Sequence, residues 1–309
     1  MIYEKIYLSI YLSIYISISL NGQIINSNEI EKGTNIQRNA SFNVEEIKVR
    51  WKKAALENCP GIPCEVAVVT PPTLSFTCGT STVKDVDGNA YETVSIVGTG
   101  VTQCWTKSNL KVTKYNDGTL IPDLTASTSN PWAPTSGART GYDVSVVTLS
   151  DYVGTFGYLY YWYAVIDSRK LCPEGWYVPT DADWTIMLIT LDPSQAVNSG
   201  NVLSFTGAQS ITAGTVMKST VTNPSTGSGL GWNPGSSGTN TSGFSGLPGG
   251  FRSLDGSFND VRGIAVFWSA TEGVSNAWYR DLNYNFGVVF RFGGSKSFGA
   301  SVRCLKNSL

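Results

Sequence analysis

The chain has 309 residues, with 22 Lys and Arg against 23 Asp and Glu, and a length that accommodates one large or two small domains around a core of useful size. A net charge of −1 supplies no basic field for nucleic acid or an acidic lipid surface. Histidine is absent, which excludes Ser-His and Cys-His nucleophile pairs and every histidine metal ligand.

Residues 1–22 begin with an apolar run, Ile6 to Leu20, preceded by one lysine; its length suits a secretory signal better than a membrane span. An upstream mis-assigned start is the alternative reading. Residues 23–78 form a lead-in. Within it NVEEIKVRWKKAALENC, 43–59, has Asn43 as cap and Glu46 three residues later, predicting a short amphipathic helix. Its basic cluster of Lys48, Arg50, Lys52 and Lys53 reads as a solvated helix face. The Pro-rich connector CPGIPCEVAVVTPPT follows.

From Thr82 the pattern is β. VKDV and YETVSIV flank an Asp87-Gly88 hairpin signal, and NLKVTKY runs into a second turn at Asn116-Asp117-Gly118. Asp85, Asp87 and Asn89 imitate a calcium loop, but Gly88 comes too early for an EF-hand and the closing Glu is missing, so a hairpin turn is the expectation. Residues 122–156 read as a long loop. The aromatic run TFGYLYYWYAVID, 155–167, requires burial, and its expected neighbour is the stretch Leu171–Trp184.

LCPEGWYVPTDADW, 171–184, compresses a strand, a turn and a helix start into one segment. Gly175 permits the turn, Thr180 is an N-cap with Asp183 completing a capping box, and Trp184, Met187, Leu188 and Leu191 fall on one helix face before Pro193. Asp181 and Asp183, at i and i+2, do not face each other and read as helix-start residues. Residues 194–246 are a polar insertion rich in Gly, Ser, Thr and Asn, anchored by Trp232 and Phe244 and too long and too polar to be needed for the core. Gly249 to Arg252 opens a closing sheet that turns at Asp255-Gly256. Period-two alternation returns at 277–292 and at 298–304, where Phe298, Ala300, Val302 and Cys304 share one face. Trp176, Trp184 and Trp268 are predicted core.

Six cysteines occur without a CxxC pair, which points to disulfides in an exported chain. Cys172 with Cys304, Cys59 with Cys64, and Cys78 with Cys104 form the expected set among fifteen arrangements. No metal site and no cofactor is expected, and no transmembrane span in the mature chain.

CPEGWYVPTDADW resembles the CPxGWHVPTDxEW motif of the Fibrobacter succinogenes major paralogous domain, with Tyr177 where that family usually has His. Further blocks follow in the family's order: TVKDVDGNAYETV at 82–94, QCWTKSNLKVTKYNDGT at 103–119, YLYYWYAV at 158–165, GFSGLPGGFR at 243–252, FWSAT at 267–271, AWYRDL at 277–282 and SVRC at 301–304. Together they delimit a domain at 79–307. The GGFR, WSAT and VRC blocks also resemble C-type-lectin-like domains of the formylglycine-generating-enzyme kind. These likenesses imply an α+β fold: a C-type-lectin-like single domain with a small twisted antiparallel sheet, one or two short helices and long loops. Calcium-binding EPN or WND motifs of sugar-binding lectins are not visible in the closing region, nor are the paired active-site cysteines of the enzymes.

The family resemblance implies a secreted or cell-surface, non-catalytic binding or adhesion module whose partner is an extracellular glycan or a surface protein. A structural coat component and a carbohydrate-active enzyme without histidine chemistry are the alternatives. Ligand contact is expected on the loop-rich face built from 194–246 and the hairpin near 283–297. Tyr279, Tyr284 and Arg291 are its exposed candidates.

Overall fold

The structure, a computed structural model, describes residues 18–20, 23–25, 76–98, 101–126, 136–142, 148–194, 206–221, 230–236 and 238–307. The chain divides into two units, Met1–Thr73 and Leu74–Leu309. In the first, β1 (Ile18–Leu20) pairs antiparallel with β2 (Gln23–Ile25). The expected helix at 43–59 and the pair Cys59–Cys64 lie outside the described residues, as does most of the expected signal segment.

The second unit is a sheet-rich α+β domain. Its first sheet has the order β3 (Thr82–Lys84), β4 (Ala90–Gly98), β5 (Val101–Thr106), β16 (Leu305–Lys306), β8 (Trp176–Tyr177). The β3–β4 hairpin forms because Asp85 satisfies its own turn: its carboxylate accepts from the Asp87 and Asn89 amides, the Asn89 side chain and the Tyr91 hydroxyl. Gly88, at φ +85°, takes the left-handed position. These are the residues that imitated a calcium loop, and the Asp85 oxygens are occupied by the hairpin itself.

A second sheet runs β12 (Ile264–Glu272), β13 (Ala277–Asn283), β14 (Val289–Gly294), β9 (Gly207–Ser210). The third runs β11 (Phe258–Asn259), β10 (Phe251–Arg252), β15 (Gly299–Ala300), β7 (Leu159–Tyr161), β6 (Arg139–Thr140). Every strand pairing within the three sheets is antiparallel. Three sheets thus replace the one small sheet that was expected.

Four helices lie among the described residues: α1 (Leu149–Phe156), α2 (Trp162–Val165), α3 (Asp181–Leu191) and α4 (Ala213–Met217). The helix expected after Pro179 is α3, with both halves of the capping box made between Thr180 and Asp183. It lies between the first two sheets. Trp184 meets Trp105 at 4.8 Å and Phe267 at 5.6 Å between ring centroids, and Met187 and Leu188 join the same cluster. Another cluster surrounds the Cys172–Cys304 disulfide with Tyr160, Trp162, Leu171, Trp176, Val178, Trp268, Ala300 and Val302. Here the aromatic run 155–167 meets the central motif, as its composition required. Trp162 donates its indole proton to the Ser269 carbonyl, and Trp268 donates to Tyr160, so the large rings are hydrogen-bonded as well as buried.

Four expectations are corrected. Residues 122–156 are not one loop, because Thr148 caps α1 through the Asp151 amide and drives Tyr152 and Phe156 into the core. NLKVTKY is not a strand: among its residues only Lys114 makes a β-bridge, to Leu120 across the Gly118 turn. Residues 298–304 do not alternate between core and solvent, since Gly299 through Cys304 are all buried and β15 and β16 belong to different sheets. The insertion 194–246 is not dispensable to the core. It contributes β9 and α4, and it buries Ala213, Met217, Trp232 and Phe244 in the α3 cluster.

The buried Arg303 explains why 298–304 is enclosed on both sides. Its guanidinium donates to Asn109 Oδ1 and to the carbonyls of Thr106, Phe244 and Ser245, tying the first sheet to the end of the insertion. Burial pulls its pKa down to about 9.

Candidate functional site

The β13–β14 hairpin carries a row of half-exposed side chains, Tyr279, Asp281, Phe290 and Phe292 among them. Its register pairs Tyr279 with Phe292 and Asp281 with Phe290, and strand alternation then sorts the side chains. Ala277, Tyr279, Asp281, Phe290, Phe292 and Gly294 share one face. Trp278, Arg280, Leu282, Val289 and Arg291 share the other.

The second face is interior. Asp181, the first residue of α3, accepts from Arg280 Nη1 at 2.6 Å and, in a bidentate arrangement, from Arg291 Nε and Nη2 at 3.0 Å. Arg280 also reaches Thr185 Oγ1, and the Arg291 guanidinium lies 3.4 Å from the centroid of Trp278. Arg291 is only 3% exposed, so its expected place on an open binding face is corrected. The reason is complementary charge: Asp181 was read as a helix-start residue alone, yet a carboxylate buried at that position needs cations, and the second sheet delivers two.

Tyr284 sits at the hairpin turn, half-buried against the α3 cluster, and is not part of the opposite face either. The turn is held by Lys218, whose buried ammonium donates to the carbonyls of Asn283, Tyr284 and Phe286. Burial lowers its pKa to about 8. Of the three candidates from the sequence, Tyr279 alone belongs to the ring face.

On that face the rings form a ladder. Phe286 contacts Phe290 at 6.5 Å, Phe290 stacks on Phe292 at 5.7 Å and 12°, Phe292 meets Tyr279 at 6.0 Å, and Tyr279 stacks on Phe298 at 5.6 Å and 17°. Phe298 in turn stacks on Phe251. Tyr279, Phe298 and Phe251 lean on the disulfide cluster, while Phe290 and Phe292 are half-buried outside it and Phe286 is 49% exposed. Gly294 leaves room for the ladder, because a Cβ there would stand 3.0 Å from the Tyr279 ring.

Asp281 lies among these rings. Among the described residues its carboxylate makes no hydrogen bond or ion pair, and desolvation pushes its pKa up to about 7. The Tyr279 phenol is raised to about 12, first by its own burial and then by the nearby Asp281 charge. A flat apolar ladder with one carboxylate that has no partner among the described residues suits a ligand with flat faces and hydroxyl edges. Phe286, Phe290, Phe292 and Asp281 were not singled out in the sequence. The F-x-F spacing at 290 and 292 was the available signal, since i and i+2 on a strand share a face.

Among the described residues no cluster of three or more Cys, Asp or Glu is arranged to hold a metal ion, and no helix is long and apolar enough to cross a membrane.

The model of the Fibrobacter succinogenes major domain matches residues 100–306, two thirds of the chain. The chain belongs to this family. The match takes in the central motif, the Cys172–Cys304 disulfide and the whole β13–β14 hairpin, so the long disulfide and the ring ladder are parts of the Fibrobacter succinogenes major domain. The chain matches no curated protein and no solved structure.

Proposed function

We propose that this domain is an exported, non-catalytic binding module of the cell surface that takes glycan on the ring ladder of the β13–β14 hairpin. The observation that carries the reading is the juxtaposition of the stacked, half-exposed Phe290 and Phe292 with the carboxylate of Asp281, which has no partner among the described residues. Sugar rings present flat C–H faces that pack on aromatic rings and hydroxyl edges that need acceptors; the ladder and the carboxylate supply both. Low charge and the absence of histidine weigh against nucleic acid and against His-dependent catalysis.

Export is supported by two disulfides, Cys78–Cys104 and Cys172–Cys304, a chemistry suited to oxidising compartments. The C-type-lectin-like assignment rests on the likeness of the GGFR, WSAT and VRC blocks. The expected ligand face is revised in this proposal: the closing hairpin is retained, and the insertion is assigned to the core that supports it.

A glycan array probed with the wild-type domain and with a Phe290→Ala, Phe292→Ala double variant tests the reading. Binding by the wild type that the double variant loses, at nearly unchanged melting temperature, is the expected result. An array without a hit, or binding that survives the double substitution, overturns it and leaves the coat-component alternative.

A further inference from the structure

The glycan reading of the hairpin face leaves open which glycans that face admits, and its charges bear on this. Asp281 is the one carboxylate on the ring face of β13 and β14. The neighbouring cations are committed elsewhere. Arg280 and Arg291 project through the opposite face onto Asp181, Lys218 is held by three carbonyls of the hairpin turn, and Lys296 pairs with Glu272. A ligand lying across Phe290, Phe292 and Tyr279 therefore meets a negative group in largely desolvated surroundings, opposite the buried Val266 of β12, with no cation beside it on that face among the described residues.

For an uncharged polyol this arrangement is favourable, because the two carboxylate oxygens accept hydroxyl protons and a charge-assisted hydrogen bond is stronger than a neutral one. For a uronate or a sulfated sugar it is repulsive, and low local polarity lengthens the reach of that repulsion. Building in repulsion is how a surface without a shaped pocket discriminates between ligands of the same shape. We infer that Asp281 is the specificity-determining residue of the ladder, accepting hydroxyls of uncharged glycans and excluding acidic ones. This inference rests on the glycan reading, and deepens it by naming the ligand class.

The test is titration calorimetry at pH 8 and low salt, above the value of about 7 to which burial raises Asp281. The probes are cello- and xylo-oligosaccharides as uncharged chains and oligogalacturonate as the acidic one. The wild type is expected to prefer at least one uncharged chain by about tenfold or more, the equivalent of a single like-charge contact at close range. Asp281→Asn, which keeps the shape and removes the charge, is expected to erase most of that preference by improving oligogalacturonate binding. Equal binding of charged and uncharged chains by the wild type overturns the inference while the glycan reading stands. So does an unchanged preference in Asp281→Asn. Absence of binding to every probe, together with a glycan array without a hit, fails the glycan reading itself, and the inference falls with it; array hits confined to acidic glycans overturn the inference alone.

Discussion

Two aspartates show how environment assigns opposite roles to one side chain. Asp181 is buried between Arg280 and Arg291, and removing its charge strands two guanidiniums in the interior. Breaking a buried pair in this way costs about 3–5 kcal/mol. Asp181→Asn is therefore expected to lower the urea midpoint by the corresponding amount, and Arg291→Ala to destabilise as well, contrary to what an exposed Arg291 would give. Asp281 is the reverse case. Its folded pKa of about 7 stands above the ordinary carboxylate value of 3.8, so between these pH values the folded state holds a proton that the unfolded chain has released. Stability then falls as pH rises through this window, by up to a few kcal/mol. Asp281→Asn is expected to match the wild type near pH 4 and to exceed it at pH 8, read from denaturant melts at the two pH values. A variant that is less stable at pH 8 would show that the carboxylate has a partner.

At the scale of elements, α3 is the piece on which the first two sheets meet. Its start is local chemistry: the Thr180 hydroxyl accepts from the Asp183 amide and the Asp183 carboxylate accepts from the Thr180 amide. Thr180→Ala is expected to cost about 1 kcal/mol, the ordinary loss of an N-cap. Its packing is tertiary. Trp184 fills the space between Trp105, Phe244 and Phe267, so Trp184→Ala is expected to cost about 3–5 kcal/mol by transfer and cavity terms together, measured by thermal or chemical unfolding. The contrast between the two variants separates what the helix owes to its cap from what it owes to the sheets. The ladder on β13 and β14 is arranged differently, with Phe290 and Phe292 outside the clusters, which is why their loss is expected to spare stability.

At the scale of the molecule, the two disulfides close loops of very different length, with sequence separations of 26 for Cys78–Cys104 and 132 for Cys172–Cys304. Chain-entropy reasoning gives about 3.5 kcal/mol for the short loop and about 5 kcal/mol for the long one. Replacing Cys172 and Cys304 together by Ala should thus lower the melting temperature more than the same change at Cys78 and Cys104. The long bridge lies inside the largest aromatic cluster, whereas Cys104 is only partly buried, and packing losses act in the same direction. Equal effects from the two double variants would argue that the unfolded chain is already compact.

By itself the sequence determined whatever depends on near neighbours. The Asp87-Gly88 hairpin, the Thr180 capping box, the Asp255-Gly256 turn and the burial of Trp176, Trp184 and Trp268 all follow from turn chemistry, capping and hydrophobic period, which act within a few residues. The family blocks added their order, and with it the family. What only the tertiary structure decided is which distant groups meet. Asp181 needed Arg280 and Arg291, about a hundred residues away in sequence, before its burial was possible. Arg303 found carbonyls in two other segments, and a polar insertion became core because β9 pairs with β14. The same holds for the ligand face: F-x-F states that two rings share a side of a strand, but which side faces outward is decided by what the opposite side meets. Here that is a buried carboxylate, which draws Arg280 and Arg291 inward and leaves Phe290, Phe292 and Asp281 on the other side.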